Sequence, residues 1–154
     1  MNKITYFILF LVINFGGLAL GSWLMNDGPN TLWYQNLNKA PWTPPGWVFG
    51  VAWTLIMLCF SWYLAELFKD RMSRVLWTVY GLQVVLNVIW NWIFFNQHLV
   101  VLGLLVISLL FVVILYFFIT FRSDRLKYAK YLLLPYLVWL CIAISLNAYV
   151  VFNN

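Results

Sequence analysis

The sequence predicts an all-α integral membrane protein, a bundle of five transmembrane helices, and three observations carry that prediction. Residues are 65% hydrophobic, 21% aromatic and only 8% charged, whereas a soluble domain has about a quarter charged residues. Between Val75 and Phe121 the chain runs 47 residues without an Asp, Glu, Lys or Arg. As one straight helix that stretch would extend about 70 Å, more than twice a hydrocarbon core of roughly 30 Å, so it has to double back. The third observation is where the cations sit: they punctuate apolar runs instead of sharing a polar face, so the net charge of +5 does not point to nucleic acid.

Taken in order, the helices fall at about 4–25, 47–68, 75–96, 99–121 and 131–152 of a single domain 1–154, with residues 26–46 as a lid. Each apolar run has about the length a spanning helix requires. The first follows Lys3 and contains Ala19-Leu20-Gly21, as a secretory leader would. Its apolar part is longer than a leader's, and Asn14, Gly16, Gly17 and Gly21 read as packing positions, so it is assigned as a membrane helix. Gly17 and Gly21 suit close helix approach, within the bundle or between copies. The second helix is predicted to start with Thr43 as N-cap and Pro44 in the first turn. The third and fourth are joined by Asn96-Gln97-His98. In the fifth, Pro135 is expected to leave the carbonyl of Tyr131 without its helical donor and to bend the helix.

Five spans put Lys3, Lys69, Arg71, Arg74, Arg122, Arg125, Lys127 and Lys130 on one side and only Lys39 on the other. That asymmetry predicts a cytoplasmic N-terminus and an outside C-terminus in an inner membrane. An odd span count without an internal repeat argues against an inverted-repeat transporter.

The loop Asn26 to Gly46 is long and aromatic, with Trp33, Tyr34 and Trp42, as binding loops are. Trp23, Trp62 and Trp77, near span ends, fit an interfacial aromatic belt. Deeper residues need another account, because polar groups at membrane depth are costly. Asn87, Trp90, Asn91, Phe94 and Phe95 stand at i, i+3, i+4, i+7 and i+8, one face of a helix. Phe49, Trp53, Met57 and Phe60 form a second stripe; Trp139, Ile142, Ala143, Leu146, Asn147 and Val150 form a third. A single Asn can serve as interhelical glue worth about 0.6–2 kcal/mol. Three such faces turned together instead enclose an aromatic-walled space with a few amides, suited to a large flat apolar ligand.

Tyr34, Leu37 and Lys39, then Trp42-Thr43-Pro44-Pro45-Gly46 with Phe49 and Trp53, then Leu86-Asn87 with Trp90 and Phe94-Phe95, then Pro135-Tyr136 with Trp139, Ala143 and Leu146-Asn147 together resemble the translocator protein family. That family is also called TspO/MBR, tryptophan-rich sensory proteins or peripheral-type benzodiazepine receptors. The resemblance implies a five-helix bundle, commonly a homodimer, with a pocket beneath the first loop. It implies binding of porphyrins such as protoporphyrin IX, of isoquinoline and benzodiazepine ligands and, in animal members, of cholesterol. Carried over by position, the ligand-facing residues are Tyr34, Trp53, Asn91, Phe94, Trp139 and Ala143. The residue faces and the loop add Trp42, Asn87, Trp90 and Asn147. In some bacterial members the resemblance implies light-dependent porphyrin breakdown, with Trp53 and Trp139 at the implicated positions. Two departures stand out. The sterol motif lacks its cation, since Leu146 and Tyr149 lead into Val150-Val151-Phe152-Asn153-Asn154, and the family's proline after the loop lysine is Ala40.

Other chemistry is sparse. Cys59 and Cys141 are isolated within spans, so neither a metal site nor a disulfide is supported. His98, at a helix–helix turn, reads as interfacial and not as an axial haem ligand. Glu66, Asp70, Asp124 and Asp27 lie in loops or at span ends, and no triad, carboxylate pair or phosphate loop can be assembled. No cofactor is required on this reading; the porphyrin is a ligand, and no conventional catalytic site is expected.

Overall fold

The computed structural model describes residues 1–154, and every regular element is helical. Helix α1 spans Lys3–Leu24, the short α2 Leu32–Asn36, α3 Gly46–Asp70, α4 Arg74–Asn91, α5 Val100–Thr120, α6 Leu126–Ala129 and α7 Leu134–Asn153. Five of the helical runs are long and apolar enough to cross a membrane, as the sequence predicts. The protein is an integral, multi-pass membrane protein.

Local chemistry sets the boundaries. Asn2 caps α1 by accepting from the Thr5 N–H at 2.9 Å, and Ser73 caps α4 in the same way from Leu76. Beyond α1, Asn26 and Asp27 both take left-handed backbone, φ 50° and 62°, which Asn and Asp tolerate better than other non-glycine residues. Helix α1 cannot continue through them.

Two expected helix starts are corrected. Helix α3 begins at Gly46 with Pro45 as its cap. Thr43 does not cap it; its hydroxyl and its N–H both bond the Ala40 carbonyl, at 2.7 and 3.0 Å. The consecutive prolines explain the shift: Pro44 precedes Pro45 and is pushed out of helical conformation, so it cannot be the first helical residue and Thr43 has no helix to cap there. In the last span Pro135 lies in the first turn of α7 and not within it. A 3₁₀ segment, Lys130–Leu133, precedes it, and the Leu134 N–H serves the Tyr131 carbonyl. The proline marks a start, where its missing N–H costs nothing.

In the ring of spanning helices α1 packs on α3 and α4, α5 packs on α4 and α7, and α7 closes on α3. One continuous core fills the half nearer the cations, with Phe60, Tyr63, Phe68, Phe117 and Tyr136 fully buried. Polar groups there bond one another across helices, with Gln83 Oε1 left unpartnered. Asn14 on α1 donates to Ser61 Oγ on α3 at 2.9 Å and accepts from Tyr80 on α4 at 2.9 Å, and Gln83 on α4 donates to the Tyr136 hydroxyl on α7 at 2.8 Å. Asn14 is interhelical glue. Asn14→Leu strands the Tyr80 and Ser61 hydroxyls in an apolar core, and we expect it to cost about 1–3 kcal/mol, read as a lower unfolding temperature in detergent while Gly16→Ala, which meets nothing within 4 Å, leaves it unchanged. Gly17 and Gly21 face α4, against Val84, Val88 and Asn91. That glycine pair therefore serves packing inside the bundle.

Candidate functional site

In the half of the bundle away from the cations the helices part around a cavity of about 420 Å³. Its walls are Phe49 and Trp53 from α3, Trp90 and Asn91 from α4, Ile107 from α5, and Trp139 and Ala143 from α7. Its roof is the long connection between α1 and α3, which contributes Met25, Pro29, Asn30, Tyr34, Lys39, Thr43 and Pro44. No carboxylate lines it, and Lys39 is its one cation. A side chamber of about 50 Å³ adjoins it, sharing Tyr34, Lys39, Phe49, Trp90, Phe95 and Ala143 and adding Phe94, Leu146, Asn147 and Val150.

The aromatic walls are locked by their neighbours. Trp139, buried on α7, meets Phe49 edge-on with ring centroids 5.2 Å apart, and Trp53 meets Tyr136 edge-on at 5.8 Å. Such contacts hold an indole in one rotamer while leaving its remaining face to the cavity.

Helix α4 reaches the site through a π-helical turn at Trp92–Asn96, closed by the Gln97 N–H on the Trp92 carbonyl at 2.9 Å. The extra residue in that turn re-aims the side chains it carries. Phe95 turns to the large cavity, whereas Phe94 lines only the side chamber and packs where Gly103 lets α5 approach. The single α-helical face expected from Asn87 to Phe95 is therefore split. Asn87 is buried but lines neither space, and its backbone carbonyl accepts from Asn91 at 3.1 Å.

The roof is tied down at several points. Asn38 and Asn154 exchange two hydrogen bonds, Asn38 N–H to Asn154 Oδ1 at 2.8 Å and Asn154 Nδ2 to the Asn38 carbonyl at 3.1 Å. Trp33 stacks on His98 at 3.9 Å, and Gly28 sits directly on Phe95. His98 is thus a docking point for the roof and lines neither chamber. Lys39 donates to the carbonyls of Tyr34, Gln35 and Leu37 at 2.9, 3.1 and 3.5 Å and lies 4.9 Å from the Tyr34 ring centroid. Its ammonium closes the C-terminal end of α2, the favourable place for a cation. Burial pushes the Tyr34 phenol above its ordinary range, so it stays a protonated donor.

Of the residues singled out from the sequence, Tyr34, Trp53, Trp90, Asn91, Trp139 and Ala143 line the large cavity, and Phe94 and Asn147 line the side chamber. Trp42 and Asn87 line neither. Trp42 is exposed and pins the loop, its indole N–H donating to Ser145 Oγ at 3.1 Å. Not anticipated were Ile107 of α5 as a wall residue and the roof residues Met25, Pro29 and Asn30. Phe95, on the expected face, lines both spaces, but periodicity could not reveal the π turn that carries it.

A profile of the TspO/MBR family matches residues 7–152. The chain belongs to the TspO/MBR family. Among TspO/MBR relatives, it is 34% identical over 121 residues to Protein CrtK of Rhodobacter capsulatus, covering 75% of this chain and 74% of that protein. It is 32% identical over 116 residues to the tryptophan-rich sensory protein of Cereibacter sphaeroides, covering 75% and 72%, and 34% identical over 122 residues to the tryptophan-rich protein TspO of Archaeoglobus fulgidus, covering 75% of each. The TspO/MBR match runs through all five spans, so the roof and the walls of the cavity both fall within it.

Proposed function

We propose that this protein binds a tetrapyrrole such as protoporphyrin IX in the aromatic cavity and acts as a membrane sensor or handling protein for it. The observation that carries the reading is the convergence of three indoles, Trp53, Trp90 and Trp139, from three different helices on one space under a polar roof. At about 420 Å³ the space is within the range of small-molecule sites, which are mostly apolar with a few placed polar groups. Indole faces suit a flat conjugated ring. The absence of carboxylates on the lining means that acidic arms meet no like charge. Orientation with the cation-rich end in the cytoplasm follows from the charge asymmetry and puts the roofed end outside.

Light-dependent consumption of the porphyrin, with dioxygen as oxidant, is a second reading. Its support is that Trp53 and Trp139, both oxidisable, stand on the cavity wall. Transport of porphyrin or another small hydrophobic molecule is a third.

One titration separates the first two readings. In the dark, added protoporphyrin IX should quench Trp fluorescence with saturating stoichiometry. Illumination in air should then deplete the bound pigment if the second reading holds, and leave it intact if the protein only binds. Failure to quench in the dark would remove both. Movement of porphyrin across sealed vesicles would support the third.

A further inference from the structure

At the cation-rich end an open cleft of about 500 Å³ lies where the chain turns from α5 towards α7. Arg122, Ser123, Asp124, Lys127 and Lys130 line it over a floor of Phe121 and Leu126, both buried. None of these residues lines the aromatic cavity or its side chamber. The chain's two ion pairs, Lys3 with Glu66 and Arg71 with Asp70, are made elsewhere. The cleft therefore sets three cations against one carboxylate, and none of the three is paired with it.

These cations are held in place. Arg122 donates from Nε to the Ile119 carbonyl at 2.9 Å, and its own carbonyl accepts from Arg71 Nη2 at 2.7 Å, so side chain and backbone are both fixed while the terminal guanidinium nitrogens stay free. Lys130 Nζ lies 5.4 Å from the Phe118 ring centroid and 5.2 Å from that of Tyr131, within cation–π reach of both. The cleft also sits at a defined level. The apolar run of α5 stops at Thr120, immediately before it, and the exposed Tyr128 and Tyr131 beside it are of the type that settles at the membrane–water boundary. On α7 the exposed, apolar Leu134 and Val138 follow, which offers hydrocarbon a surface next to the charges.

We propose that this cleft binds the headgroup of a phospholipid with two phosphodiester charges, of the cardiolipin class, whose acyl chains lie against the outward side of α7. The Arg122 guanidinium presents a fork to the oxygens of one phosphate, and the Lys127 and Lys130 ammoniums act as point charges on the other. Basic pockets at the ends of spans recognise such headgroups. With Asp124 counted, the cleft has an excess of two positive charges, which two phosphodiesters match. A singly charged headgroup leaves one cation unneutralised, and a zwitterionic one brings a cation of its own. A soluble phosphate shares the charge but has nothing to lay on Leu134 and Val138. The site is separate from the aromatic cavity and stands whether or not a tetrapyrrole binds there.

Purified full-length chain in detergent is titrated with tetraoleoyl cardiolipin, dioleoyl phosphatidylglycerol and dioleoyl phosphatidylcholine, and bound lipid is counted by native mass spectrometry. Cardiolipin should saturate at one per chain and bind about tenfold tighter than phosphatidylglycerol, with phosphatidylcholine weaker still. Lys127→Ala combined with Lys130→Ala should weaken cardiolipin about tenfold. Lys69→Ala combined with Arg74→Ala removes the same charge from the same end but outside the cleft, and should change affinity by less than about twofold. Asp124→Asn should tighten binding, because it removes the one opposing charge. Equal losses in the two double variants would mean diffuse attraction to a basic surface and would overturn the proposal. So would equal affinity for cardiolipin and phosphatidylglycerol, or displacement of cardiolipin by inorganic phosphate at equal concentration, which would make the cleft a site for a soluble anion.

Discussion

Trp139→Ala is expected to lower dark affinity for protoporphyrin IX by roughly thirtyfold, equivalent to about 2 kcal/mol. Trp139 is buried on α7 and presents an indole to the cavity from the wall opposite α4. Truncation removes one of the cavity's three indole walls and also frees Phe49, whose ring Trp139 holds edge-on at 5.2 Å. Trp139→Phe should behave differently. It keeps a flat apolar face, so affinity should fall only a fewfold, while any light-dependent loss of pigment should drop sharply because the oxidisable indole is gone. Trp42→Ala provides the contrast, since Trp42 is exposed and bonded to Ser145 outside the lining; its effect should stay under about twofold. Fluorescence titration in the dark, followed by absorbance under illumination, reads all three. Equal loss of affinity in Trp42→Ala and Trp139→Ala would mean that the ligand sits elsewhere.

Gly28→Ala should lift the roof. A Cβ at that position would stand 2.6–2.7 Å from Cβ, Cγ and Cδ1 of Phe95, the rigid root of the side chain and not its flexible end. Phe95 cannot yield easily, because its ring is held by Trp90, Phe94 and Tyr34 at centroid distances of 5.7, 4.9 and 5.3 Å. No glycine in the chain has positive φ, so the penalty is steric and not conformational. Overpacking of this kind costs about 1–3 kcal/mol. The connection should part from the π turn of α4, with two consequences. Ligand affinity should fall by about tenfold as Tyr34 and Lys39 leave the cavity mouth. Trypsin should cut after Lys39, the one Lys or Arg in the connection, faster than in the parent. Unchanged proteolysis together with unchanged affinity would show that the roof does not depend on the Gly28 contact.

The stripe on α3 illustrates how far periodicity reaches. Phe49 and Trp53 do face the cavity, while Met57 and Phe60, one and two turns further along, lie fully buried beneath it. A helical period names the face but not the depth at which a space gives way to packed core. Helix α4 shows the opposite limit. Up to Asn91 the expected spacing holds, and then the π turn adds a residue, leaving Phe94 on the side chamber alone while Phe95 lines both spaces. Trp42 shows a third. Its place in a loop beside two cavity-lining residues, Lys39 and Thr43, carried no sign that its own partner would be Ser145 on α7.

The order of residues alone determines the protein's class, its five spans, its charge asymmetry and the family it belongs to, because hydrophobic length and helical period are properties of residues next to one another. Folding in three dimensions decides which amide is glue and which is a wall. Asn14 found Ser61 and Tyr80, 47 and 66 residues away, whereas Asn147 found only its own helix, and its oxygen stays buried without a partner. Both are asparagines in apolar runs, and the difference between them lies in what the neighbouring helices bring within hydrogen-bonding distance, which no local pattern encodes.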